Sequence, residues 1–266
     1  MILGVIPARL NSTRFPNKII FPLNGKPIIE HVYEKAIQSK LLSKVVVAID
    51  SETTKESINC LNIVMTSDKH QSGTDRVAEV SENYDCDIVI NVQADEPFIN
   101  KETINSLLKC FDDKKVSMAS VMEPIVSNSK LNDPNYVKVK VDEFKNAIFF
   151  SRYPELREKS KWLNKNSNFK NNLYIHQGIY GFKKEFLLKF SNMKPTYFEK
   201  TEKLEQLRVL ENGFNIKMIE SKLDLDGLAV ATGTACASGS QEPSPALVAM
   251  NLPKPVIQSA IRFSFG

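Results

Sequence analysis

"MILGVIPARLNSTRFPNK", residues 1–18, turns abruptly from an apolar run into a basic loop. "MILGVIPA" has the near-continuous apolar character of a strand buried on both faces of a parallel sheet. Behind it Arg9, Arg14 and Lys18 sit among Asn11, Ser12, Thr13 and Asn17, with Pro7 and Pro16 preventing a regular helix. Stiff backbone, hydroxyls and cations at a strand's carboxyl end suit a ligand with several phosphate oxygens. The plain alternative is a solvated basic connector, which a chain would ordinarily leave more flexible.

Outward from this stretch, strands and helices alternate. "KPIIEHVYEKAIQSKLL" places Ile28, Ile29, Val32, Tyr33, Ala36 and Ile37 on one helix face. "KVVVAID", "LNIVMT" and "CDIVINVQADEP" read as further strands, and "NKETINSLLKCF" as a helix capped by Asn100. The order implies an α/β doubly wound fold with a mostly parallel sheet. In the middle, "YVKVKVD" alternates strictly and "AIFFSR" follows, which predicts antiparallel strands with one solvated face. "LREKSKWLNKNSNFKNN" reads as a mobile loop. "NLYIHQGIYGF" returns to strand chemistry, and "KKEFLLKF" and "TEKLEQLRVLENG" read as helices, the latter stopped by Gly213.

Composition narrows the function class. A net charge of +4 over 266 residues argues against a nucleic-acid coat or a membrane-adhesive surface. No run approaches the roughly 18 apolar residues of a membrane span. Four scattered cysteines lack metal-ligand spacing and point to a reducing cytoplasm. Neither a G-x-x-x-x-G-K-[ST] loop nor a G-x-G-x-x-G fingerprint occurs, which disfavours a Walker-type ATPase or a dinucleotide enzyme.

Two more polar clusters fall at strand ends, where open α/β sheets bind ligands. "HQSGTDR" (70–76) offers Ser72, Gly73 and Thr74 as caps and as a close backbone approach. "NVQADEP" (91–97) ends an apolar strand in Asp95 and Glu96, costly unless compensated. Hard carboxylate oxygen beside a phosphate site suits Mg2+. A basic loop and an acid-ended strand together suggest Mg2+-dependent chemistry on a nucleoside triphosphate.

"IPARLNSTRFPNK", "HQSGTDR", "NVQADEP", "NDPNYVKV", "FFSR", "HQGIYGF" and "LEQLRVLENG", in this order, resemble the 3-deoxy-manno-octulosonate cytidylyltransferase family across roughly residues 1–220. The resemblance implies a Rossmann-like nucleotide-diphospho-sugar transferase fold with a smaller antiparallel part for sugar binding and dimerisation. It further implies a homodimer that makes CMP-Kdo and pyrophosphate from CTP and 3-deoxy-D-manno-octulosonate (Kdo), for lipopolysaccharide assembly. Carried over by motif, Arg9, Ser12, Arg14 and Lys18 hold the CTP phosphates. Gln71, Ser72 and Gly73 lie near the nucleotide, and Asp95 holds Mg2+. Lys18, Arg14 and Asp95 are the catalytic set. Arg152, His176, Gln177, Tyr180, Glu205, Gln206 and Arg208 belong to the sugar side. For several of these a plainer reading stands beside the functional one: Tyr180 and His176 as packed strand residues, Glu205 and Arg208 as a surface helix pair. No general base is evident. A related acid sugar, such as an amino-Kdo or a sialic acid, is the alternative substrate.

The end departs from that family. After "FNIKMIES" the chain reads "LDLDGLAVATGTACASGSQEPSPALVAMNLPKPVIQSAIRFSFG". The family's closing segment, with its second metal-side carboxylate, is missing, and Asp224 or Asp226 could replace it only by chance. The stretch instead resembles the C-terminal active-site segment of a cysteine desulfurase, matching Cys236 and Arg262. The pyridoxal-binding body is absent, so Cys236 reads as an idle thiol. The expected organisation is a cytidylyltransferase-like domain at 1–220 and an incomplete foreign segment at 221–266, an apparent chimera that is impaired or inactive if the lost carboxylate is essential.

Overall fold

The computed structural model describes residues 1–10, 17–59, 62–125, 130–131, 133–153, 172–221, 229–232 and 261–264. Ser12, Arg14, Cys236, Asp224, Asp226 and the predicted loop after Tyr153 lie outside them.

The apolar runs become strands: β1 (Ile2–Ala8), the short β2 (Pro22–Leu23) and β3 (Lys26–Pro27), β4 (Lys44–Ile49), β5 (Ile63–Met65) and β6 (Ile88–Asn91). Between them run the helices α1 (Ile28–Ala36), α2 (Glu52–Glu56) and α3 (Gly73–Glu82). Beyond β6 follow α4 (Lys101–Lys109), β7 (Met118–Pro124), β8 (Lys138–Val141), β9 (Ala147–Ser151) and β10 (Leu173–Lys183). Then come α5 (Lys184–Ser191), α6 (Tyr197–Glu202), α7 (Gln206–Glu211) and β11 (Lys217–Glu220). The predicted caps form: Asn100 accepts from Thr103 N at 2.8 Å, and Gly213 ends α7 at φ 78°.

The main sheet runs β11-β7-β10-β6-β1-β4-β5, with β8 and β9 attached through β10. β1, β4, β5 and β6 are parallel, and β10 lies antiparallel between β6 and β7. Strand alternation sends Leu3, Val5 and Val89 to one face, packed by Val77 of α3, Phe186 of α5 and Leu207 of α7. Ile6, Ile90 and Val92 face the other, beneath Ile29 and Val32 of α1 and Leu107 of α4. The strands are buried on both sides, which explains their Val/Ile-rich sequence. At Gly181 an added Cβ would lie 2.7 Å from Phe111, so β10 needs glycine there to accept that ring.

Chain order grows from β1 through β4 to β5, then crosses by α3 to β6 on β1's other side. The switch between β1 and β6 opens a crevice at their carboxyl ends.

Three expectations change. β8 and β9 are antiparallel as predicted, but β8 has no solvated face: Lys138 and Lys140 are 0% and 4% exposed. "TEKLEQLRVLENG" is not one helix, because Lys203 adopts a left-handed φ of 56° and separates α6 from α7. The α1 pattern stops at Ala36, short of Leu42. At the far end, β12 (Ala229–Thr232) and β13 (Ile261–Ser264) pair antiparallel in a two-stranded sheet of their own. Cys86 and Cys110 are free thiols.

Candidate active site

The crevice beyond β1 and β6 gathers Arg9, Lys18, Gln71, Ser72, Gly73 and Asp95 around one cleft. Strand ends, a 3-10 turn and the start of α3 supply them. Arg9 leaves the end of β1, and Lys18 opens a 3-10 turn entered through a left-handed Asn17 (φ 62°). Ser72 begins α3 with a reciprocal cap: its Oγ accepts from Asp75 N, and its own N–H donates to Asp75 Oδ2, both at 3.1 Å. Asp95 follows β6, where its Oδ2 accepts from Lys18 Nζ at 2.8 Å. Burial, reinforced by the Asp95 charge, pushes the adjacent Glu96 up to about 7.

Buried charges brace this cleft. Arg76 of α3 is 2% exposed, and its Nη2 donates to Asp50 Oδ2 at 2.8 Å. Its Nη1 donates to Ala8 O at 3.2 Å, so one guanidinium joins the ends of β1 and β4 to α3. Glu79 accepts from Ser67 N at 3.1 Å and bonds His70 Nε2, fixing the loop ahead of α3. Burial alone would raise the Glu79 pKa, but the bonds from His70 and Ser67 hold it below the usual carboxylate range.

The second group of residues surrounds β10. A register shift between Gln177 and Tyr180 interrupts its pairing with β7 and re-aims the side chains there. His176 Nε2 meets Ser120 Oγ at 2.9 Å, while that hydroxyl reaches Ile179 O at 2.8 Å. The imidazole sits edge-on to Phe150, and burial pushes its pKa down to about 3, so it is neutral at physiological pH. Burial raises the Tyr180 phenol well above its usual value, with the Glu205 charge adding to the effect. Glu205 bonds the Thr74 hydroxyl, linking α7 to the first turn of α3. Its carboxyl is raised by burial, against the Thr74 and Ser72 hydroxyl bonds that favour the charged form. Gln206 is buried beside the Tyr180 hydroxyl at 3.5 Å. Arg152 stands just past β9, with Nη1 donating to Pro134 O at 2.9 Å.

The surface helix-pair reading of Glu205 and Arg208 requires a correction, since Arg208 is buried. Its Nε donates to Glu199 Oε2 at 2.8 Å, its Nη2 to Glu199 Oε1, and its Nη1 to Met193 O at 3.1 Å. The guanidinium also lies over the Phe190 ring, 5.0 Å from its centroid. It therefore braces α5, α6 and α7 rather than joining Glu205, which faces α3.

The family model for cytidylyltransferases matches residues 3–219. The chain belongs to the cytidylyltransferase family. It is 41% identical over 234 residues to the 3-deoxy-manno-octulosonate cytidylyltransferase of Geobacter metallireducens, covering 85% of this chain and 92% of that protein. The enzyme of the same name from Flavobacterium johnsoniae is 42% identical, covering 83% and 90%. Among solved structures, a CMP:2-keto-3-deoxy-manno-octonic acid synthetase complexed with CTP aligns with a TM-score of 0.74 at 34% identity, covering 83% of this chain and 89% of that one. A 4-diphosphocytidyl-2C-methyl-D-erythritol synthase from Anaerococcus prevotii, at 12% identity and a TM-score of 0.52, shares the fold alone.

Among the described residues that line the cleft, Asp95 is the carboxylate, and it is partly exposed. Among the described residues no three His, Cys, Asp or Glu side chains converge to cage a metal. One exposed carboxylate beside cations fits an ion held chiefly through substrate phosphates, as Mg2+ commonly is. Sequence reasoning missed Asp50, Arg76 and Glu79. Asp50 carried a usable signal, since it ends an apolar strand just as Asp95 does. Arg76 gave a subtler one, a cation between the inward-facing Thr74 and Val77.

Proposed function

We propose that this chain is a nucleotidyltransferase that moves a cytidylyl group from CTP to Kdo, releasing pyrophosphate. The observation that carries this is the cleft at the β1/β6 switch, with Arg9 and Lys18 facing Asp95 and the N-terminus of α3. Relatives about 40% identical across most of the chain bear the matching name. Arg9 and Lys18, with Arg14 and Ser12 of the same loop, would hold the triphosphate. Gln71, Ser72 and Gly73 would lie along the nucleotide, where backbone N–H groups can approach closely. Arg152, His176, Gln177, Tyr180, Glu205 and Gln206 would face the sugar acid.

The sugar's anomeric hydroxyl attacks the α-phosphorus in line as pyrophosphate departs. Such a transfer rests on positioning and charge neutralisation more than on covalent participation. Lys18 exchanges Asp95 for phosphate oxygen and offsets the charge of the departing group. A neutral His176 orients hydroxyls without carrying a charge of its own. Asp95 would hold Mg2+, which supplies further neutralisation at the α-phosphate and leaving group when bound. No described helix is long and apolar enough to cross a membrane. A cytoplasmic homodimer is the setting we infer from the family. We also infer a domain boundary near residue 220, a reading supported by the end of the family match at 219; the expected desulfurase-like character of the segment beyond it finds no support in the comparisons.

The test is pyrophosphate release from CTP with a panel of acid sugars and Mg2+. Kdo-dependent release above that with amino-Kdo or sialic acid supports the reading. A preference for another acid sugar transfers the proposal to that substrate, and no release with any sugar contradicts it.

A further inference from the structure

Lys138 is fully buried, and no carboxylate pairs with its ammonium among the described residues. Instead its Nζ donates to three backbone carbonyls, those of Asp133, Tyr136 and Arg152, each at 2.8 Å. The first two belong to the turn before β8 and the third to the residue after β9. An ammonium deprived of water is costly, and burial lowers its pKa; the three charge-assisted bonds offset part of that cost.

All three bonds bear on Arg152. Its carbonyl is held by Lys138, and its N–H donates to Glu202 Oε2 at 3.0 Å. Glu202 is itself fixed by Ser151 Oγ at 2.8 Å. The guanidinium Nη1 is tied to Pro134 O at 2.9 Å, within the turn that Lys138 clamps from both sides. Among the described residues no carboxylate forms an ion pair with this guanidinium. The node lies beside the sugar-side strand: His176 N donates to Val137 O at 2.8 Å, and Phe150 packs against the His176 ring.

We infer that Lys138 is a positioning residue for the sugar acid, acting through Arg152. Its ammonium locks the turn and the strand end into one unit, so the guanidinium meets the substrate carboxylate already oriented. This rests on the reading of Arg152 as a sugar-side residue.

A kinetic double-mutant cycle on the full chain tests it, using Lys138→Met, Arg152→Ala and the pair, with CTP and Kdo as substrates. Lys138→Met is expected to raise KM for Kdo about tenfold, leaving kcat and KM for CTP within about twofold. In the Arg152→Ala background the same change should add less than about twofold, because both act on one contact. If Lys138→Met does not fold, Glu202→Gln, which loosens Arg152 from its N–H side, runs through the same cycle with the same criteria. The inference is overturned if Arg152→Ala raises KM for Kdo while the Lys138 or Glu202 change leaves it unmoved. Losses that multiply independently, or that fall equally on CTP, overturn it as well. An Arg152→Ala enzyme with unaltered KM for Kdo refutes the reading of Arg152 itself.

Discussion

Lys18 and Asp95 stand 77 residues apart in sequence and 2.8 Å apart in space. Both are partly exposed, so their mutual attraction contributes little to stability, and their placement matters for what they can exchange it for. Replacing Lys18 with Met should lower kcat for cytidylyl transfer about 100-fold, the scale of losing one charge-stabilising donor. Thermal melting of the variant should stay near wild type, which distinguishes lost chemistry from lost fold. His176 carries a pH signature. Its pKa falls from an ordinary 6.5 to about 3 on folding, so the unfolded chain binds the extra proton between those values. The neutral ring therefore stabilises the fold fully above pH 6.5, and that contribution, up to a few kcal/mol, drains away as pH falls towards 3. Denaturant titrations of His176→Gln should show a flatter stability slope between pH 6.5 and 4 than wild type. An identical slope would contradict the neutral, half-buried ring.

Among the elements, the parallel strands and their helices were legible because burial on both faces writes itself as Val/Ile runs. Asn100 and Gly213 were legible because helix ends demand particular chemistry. Two features were not. β8 carries the alternation of a half-solvated strand, yet its lysines are buried, because the carbonyls that accommodate Lys138 come from a turn and a strand end that no local pattern reveals. The "TEKLEQLRVLENG" run has unbroken helical periodicity, but Lys203 turns left-handed and sends Glu205 and Arg208 to different neighbours. Lys203→Gly should raise stability, by up to about 1 kcal/mol, because glycine adopts φ 56° without steric cost. Unchanged or lowered stability in chemical denaturation would count against strain at that position. Arg208→Lys should cost about 1–3 kcal/mol, since an ammonium cannot reproduce the two-pronged contact with Glu199. KM for Kdo should meanwhile stay within about twofold, whereas a large rise would restore Arg208 to the sugar side.

For the whole molecule, the two halves of the site converge on α3. Its first turn faces the cleft through Ser72 and Gly73 and holds Glu205 through Thr74, while Arg76 ties it to β1 and β4. In the proposed reading both substrates would border one helix end, which suits a reaction governed by alignment. The main sheet closes before the tail: Ser221 N donates to Met122 O at 3.0 Å, and its hydroxyl meets Thr103 Oγ1 at 2.6 Å. Truncation after Ser221 should therefore leave a folded body whose melting temperature lies within about 3 °C of the full chain. A collapse of folding would show that the tail belongs to the core. The most direct test of the cytidylyltransferase assignment is 31P NMR of the full chain with CTP, Kdo and Mg2+. The account predicts that the CTP signals give way to a CMP phosphodiester and pyrophosphate only when Kdo is present. Unchanged CTP, or Kdo-independent conversion, would contradict it.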